Sequence, residues 1–325
     1  MRLIVVLLFL GCLLGASAKE HPEAKLPFMS YCQYFNYPVQ QHIIETEDGY
    51  LLTYFRIQKK NTTIIPGLTP IFLQHGLLDS SDTWIINDED KAPAFILANQ
   101  GYDVWLGNSR GNKHSRKHIH YNPDKDAEFW QFTFQDMADF DIPAAFRYIY
   151  NVVKQKVNYI GHSQGTIQMH IALAKQNPAV EALMGKYFGF GPVVYVNHQE
   201  SNIFTLLDKS YLLEWYHLRH IHEFMPSPGW FETDIGRLFC ADFAKVCADI
   251  LAQVMDSDPN VDNYERYDVL VGHAPAGTSV MNMEHWKQMV DTGEFKAYDW
   301  GSEKANMEHY NQKVPPMWNI STFSG

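Results

Sequence analysis

At 325 residues the chain is long enough for one large α/β domain with an insertion and too long for a minimal module. Hydrophobic residues at 46% and charged residues at 19% exclude a disordered chain. A formal net charge of −11 argues against a nucleic-acid partner, because phosphate recognition needs clustered Lys and Arg.

Residues 1–18 carry one basic residue, Arg2, an apolar run from Leu3 and the small-residue sequence Ala16-Ser17-Ala18. That layout predicts a secretory signal peptide cut after Ala18. The run is shorter than the roughly 20 residues a membrane span needs, and no later stretch is long and apolar enough to serve as a transmembrane segment. The expected destination is the secretory pathway, either secreted or in the lumen of a lysosome or digestive vacuole. Cys12 leaves with the leader, so Cys32, Cys240 and Cys247 remain, enough for one disulfide and one free thiol. Cys240 and Cys247 are near enough in sequence to close a short loop. Asn61-Thr62-Thr63 and Asn319-Ile320-Ser321 are N-glycosylation acceptors that suit this compartment.

Residues 19–69 form an N-terminal region built on a hairpin: His42–Thr46 and Tyr50–Phe55 flank an Asp48-Gly49 turn. Pro70–Gln74 is a short apolar run that stops abruptly at His75-Gly76, as a buried parallel strand does. Tyr102–Leu106 and Val157–Ile160 repeat that design. Helical stretches lie between them, Ala92 to Gln100 closed by Gly101, and Phe134 to Val153 with apolar spacings of three and four. The alternation predicts an α/β fold over residues 70–325 with a mostly parallel, doubly wound sheet. Residues 197–283 break the rhythm, are rich in Trp, Tyr, Phe, Leu and Met, and read as a helical cap.

Gly161-His162-Ser163-Gln164-Gly165 follows one predicted strand and precedes a helical stretch through Lys175. This G-x-S-x-G in a strand–turn–helix context reads as a nucleophile elbow, which lifts the Ser163 hydroxyl above the sheet with the positive end of a helix behind it. Attack by that serine on an ester creates an oxyanion, which needs two pre-aimed N–H donors. Gln164, next after the nucleophile, supplies one. The loop His75-Gly76-Leu77-Leu78 after the earlier strand supplies the other, with the N–H of Leu77 turned toward the site.

The chain resembles the acid lipase family, which includes gastric lipase and lysosomal acid lipase. The matching stretches are Phe72–Leu78, Gly101–Asn112, Tyr159–Thr166, Pro275–Ser279 and Tyr298–Ser302, in the family's order across most of the chain. The resemblance implies an α/β-hydrolase fold, Ser163 as nucleophile, Leu77 and Gln164 as the oxyanion hole, and Cys240–Cys247 as a disulfide. It also implies a triad aspartate in a Gly-x-x-Asp context soon after Val314–Asn319, and a histidine later still. Neither is in the sequence, so the resemblance reads the chain as a C-terminally truncated member, short of about two strands at one sheet edge. The histidines that follow Ser163 offer no substitute: His170 is expected to point away along the sheet, and His273 precedes a motif the family keeps without using it as the base.

Two other clusters have plainer readings. His217, His220, His222 and Glu223 lack the His-Glu-x-x-His spacing of a zinc site and belong to the cap. Arg110, Lys113, Arg116 and Lys117, with His114, His118 and His120, read as a loop held by hydrogen bonds near the active-site face rather than a nucleic-acid patch. The aromatic stretch Ile203 to Phe239 is expected to cover the serine in part and to open at a lipid–water interface. The expected function is hydrolysis of neutral lipid esters without a metal or organic cofactor. The alternative is an inactive homologue that binds lipid or acts as a decoy.

Overall fold

The computed structural model describes residues 20–198, 212–227 and 263–322. The predicted leader, the Cys240–Cys247 bridge and most of the aromatic cap stretch lie outside them. Among the described residues the molecule is organised by a six-stranded sheet of β1 (Val39–Glu45), β2 (Leu51–Ile57), β3 (Pro70–Gln74), β4 (Asp103–Leu106), β5 (Val157–His162) and β6 (Met184–Phe190). Its spatial order is β1-β2-β4-β3-β5-β6. Strands β4, β3, β5 and β6 are mutually parallel, as expected for a chain that returns through helices. The hairpin β1–β2 does more than the sequence shows. It joins the same sheet, β2 pairing antiparallel with β4 through Phe55, Arg56 and Ile57.

Strand alternation decides what packs where. In β3, Phe72 faces one layer with Trp105 and Tyr159, beneath α3 (Ile142–Val153) and α4 (Gln164–Ala174). Ile71 and Leu73 face the other with Val104, Leu106 and Ile160, against α1 (Phe28–Tyr34) and α2 (Pro93–Asn99). A period of two places successive residues on opposite faces, so five apolar or amide residues in a row can all be buried when both faces are covered.

The predicted Phe134–Val153 helix is interrupted. A single helical turn, Phe134–Asp136, runs into a π-turn at Met137–Asp141 before α3 begins. Pro143 lacks an N–H and cannot continue a regular ladder, and the widened turn absorbs that mismatch. The turn delivers Asp141 to Arg110. That arginine is fully buried, bonds Asp141 through Nε at 2.8 Å and Asp48 through both terminal nitrogens at 2.6 and 2.9 Å, and lies over the Tyr50 ring. Ion pairs take up much of the basic run: Lys113 pairs with Asp82 at 2.9 Å, and Arg116 with Glu223 and, at the surface, Asp124.

Preceding β6 is α5 (Pro178–Leu183); α6 (Leu212–Leu218), α7 (Tyr267–His273) and α8 (Val280–Thr292) follow it. A two-residue ladder, β7 (Glu223–Phe224) with β8 (Thr278–Ser279), ties the 212–227 segment to the start of α8. No helix among the described residues is long and apolar enough to cross a membrane.

Candidate active site

The turn from β5 into α4 is built as the sequence predicts. Ser163 sits at φ 49°, ψ −114°, a conformation that non-glycine residues avoid. Such a residue costs about 1–3 kcal/mol and persists only where its surroundings over-determine it. They do. The Ser163 N–H donates to Phe190 O at 2.9 Å, locking the turn to the end of β6. The Ser163 carbonyl accepts from Thr166 N at 2.8 Å and from Thr166 Oγ1 at 2.6 Å. Gly165 is required by close approach: a Cβ there would lie 2.5 Å from Gln74 O and 2.9 Å from His75 O, backbone atoms that cannot step aside.

The loop after β3 lies against this turn. A Cβ on Gly76 would come within 3.2 Å of the Ser163 Cβ, which places that backbone directly beside the serine. His75 holds the loop. Its Nε2 accepts from Ser109 N at 3.0 Å and from the Asn112 side-chain amide at 3.1 Å, so the ring proton is on Nδ1, which donates to Gly76 O at 2.8 Å. Burial lowers the His75 pKa to about 4, which keeps the ring neutral and this pattern intact. The next two residues differ: Leu78 takes a positive φ of 59°, and the N–H of Leu77 meets no acceptor among the described residues. The N–H of Gln164, first in its helix, is likewise untaken.

Sequence reasoning missed the partners of the Gln164 side chain. Its Oε1 accepts from Asn282 Nδ2 at 2.9 Å and from Trp286 Nε1 at 2.8 Å, both from α8 and both buried. The Ser163 hydroxyl has no hydrogen-bond partner among the described residues. His170 is bound to Val193 O at 3.1 Å and Tyr187 Oη at 3.0 Å, away along the sheet as expected. His285 donates to Lys296 O and stacks on Phe134, while His217 meets Glu284.

His273 and His114 both bond the buried Asp82, at 2.8 and 2.7 Å, on the wall of a cavity of about 480 Å³. That cavity is lined by residues 24–28, Asp82, Lys113, His114 and the end of α7, and Ser163 is not on its wall. Asp82, His114, His273 and Lys113 on its wall are paired with one another, and this hollow and the candidate chemistry are separate places.

A mostly parallel sheet with a strained serine turn between β5 and a following helix defines the α/β-hydrolase class. The comparisons agree. The family description "alpha/beta hydrolase fold" matches residues 69–185, and "Partial alpha/beta-hydrolase lipase region" matches residues 28–88. Gastric triacylglycerol lipase of Mus musculus is 39% identical, over 96% of this chain and 79% of that protein. Lipase member K of Homo sapiens is 37% identical, over 97% and 80%. Lysosomal acid lipase/cholesteryl ester hydrolase of Macaca fascicularis is 38% identical, over 94% and 77%. The chain belongs to the acid lipase family.

Proposed function

We propose that the chain is a carboxylic ester hydrolase for neutral lipids, triacylglycerols or steryl esters, working through an acyl-serine at Ser163. The observation that carries this is the pair of untaken N–H groups, on Leu77 and Gln164, in two loops fixed against a strained serine. Donors left open in a site this well bonded are suited to an oxyanion. In the first half-reaction the Ser163 oxygen bonds the ester carbonyl while its proton passes to a base, and the alcohol leaves with a proton. Water then cleaves the acyl ester, releases the acid and restores the serine. The relatives, among them a triacylglycerol lipase and a cholesteryl ester hydrolase by name, support this substrate class. In the same reading residues 1–18 direct the chain into the secretory pathway, Cys240 and Cys247 form its disulfide, and Asn61 and Asn319 carry glycans. Both asparagines are exposed, as acceptors must be.

One observation favours a second reading, a lipid-binding homologue without turnover: no described residue stands ready to take the Ser163 proton. A fluorophosphonate probe separates the two. Rapid labelling of the folded chain that vanishes in Ser163→Ala supports the hydrolase. Labelling no faster than that of the urea-unfolded chain supports the binder. Faster hydrolysis of an emulsified long-chain ester than of a soluble short-chain one supports the lipid substrate class, and the reverse ranking removes it.

A further inference from the structure

The peptide between Ser163 and Gln164 is held at every point except its N–H. Thr166 bonds its carbonyl twice, at 2.8 and 2.6 Å. On the far side the Gln164 amide oxygen is gripped by two donors from α8, Asn282 Nδ2 and Trp286 Nε1. Asn282 is itself fixed on all sides. Its Oδ1 accepts from Phe134 N at 2.7 Å, its Nδ2 also reaches Thr278 Oγ1 at 3.1 Å, and its own N–H bonds Ser279 Oγ, which donates to Phe132 O at 2.6 Å. All of these side chains are buried, where a hydrogen bond is not shared with water and a misplaced partner is costly. Ser163 sits at a positive φ, so a small rotation about the adjoining bonds would swing the Gln164 N–H out of line.

We propose that Asn282 and Trp286 are positioning residues: through the Gln164 side chain, α8 sets the direction of the N–H that faces the developing oxyanion. This rests on the nucleophile reading of Ser163. It also gives the β7–β8 ladder a consequence, because Thr278 and Ser279 pair with the 212–227 segment and bond Asn282.

The test uses the full chain with Trp286→Phe, which removes the indole donor together with part of the buried ring, Gln164→Met, which removes the acceptor, and the double variant. Trp286→Phe is expected to slow fluorophosphonate labelling about 10-fold, a fraction of what losing an oxyanion donor outright costs. Its melting temperature should stay within about 3 °C of the parent. The double variant should label no more slowly than Gln164→Met, since both changes break one contact. In chain labelled with 15N-glutamine, the residual dipolar coupling of the Gln164 amide, which reads the direction of that bond, should change in Trp286→Phe. Asn282→Asp, which keeps the acceptor for Phe134 N but loses the donor, should change it too and stands in if Trp286→Phe fails to fold. Parent-rate labelling, effects that multiply in the double variant, or an unchanged coupling would each overturn the proposal. If the parent labels no faster than Ser163→Ala, the nucleophile reading fails, and the coupling alone still decides whether α8 aims the N–H.

Discussion

The two sides of Ser163 are built differently. On the side of β3 and α8, buried polar groups are joined in a network: His75 to Gly76, Ser109 and Asn112, and Gln164 to Asn282 and Trp286. On the side of β6 the sheet edge pairs only with β5 among the described residues, Phe188 and Phe190 are 47% and 50% exposed, and the serine hydroxyl is unbonded. In the proposed mechanism the first side would bear on stabilising negative charge and the second on moving a proton. These two parts of ester chemistry are separable, since an oxyanion hole alone retains part of an enzyme's rate advantage when triad members are removed.

That contrast can be broken at its most crowded point. Gly165→Ala forces a Cβ into the backbone of Gln74 and His75, and should lower the melting temperature by about 10 °C and end fluorophosphonate labelling. A folded, labelled Gly165→Ala chain would mean the turn is looser than described.

A pH series probes the same side more gently. The folded chain protonates His75 only near pH 4, because burial lowers its pKa, whereas an unfolded histidine takes its proton near pH 6.5. The stability His75 contributes is therefore whole above about pH 6.5 and is lost as pH falls through about 4. His75→Gln should melt about 4 °C below the parent at pH 7, and thermal scans should show that gap shrinking by at least half at pH 4. A gap that stays constant across the series would show that the ring is not the buried acceptor described. His285, lowered to about 3 by burial, contributes with the same sign.

On the open side the expected effect is smallest. Phe190→Lys leaves the backbone carbonyl that accepts from Ser163 N in place, so calorimetry should find the melting temperature within about 1 °C of the parent. A drop of several degrees would mean that this edge is more tightly packed than its exposure indicates.

Sequence reading served well where structure is local. Glycines on either side of Ser163, a strand before and a helix after, and the Asp48-Gly49 hairpin turn all leave signals within a few residues, and the structure has them in place. It served poorly where partners are distant. Nothing near β2 announces that it pairs with β4, and nothing near Gln164 announces a donor more than a hundred residues on. Asn282 and Trp286 sit in an ordinary amphipathic pattern whose polar member looks like any helix surface residue. The π-turn could have been suspected from Pro143 inside a helical run, but its product, the Asp141–Arg110 bond, could not.

The backbone at Ser163 also bears on how such a chain changes over generations. A serine held at a positive φ lowers the stability of the fold, and glycine would relieve most of that cost in a single substitution. Once a gene no longer needs its nucleophile, drift and selection for folding yield push in the same direction, toward relaxing that position. Serine at position 163 keeps that strain in this chain.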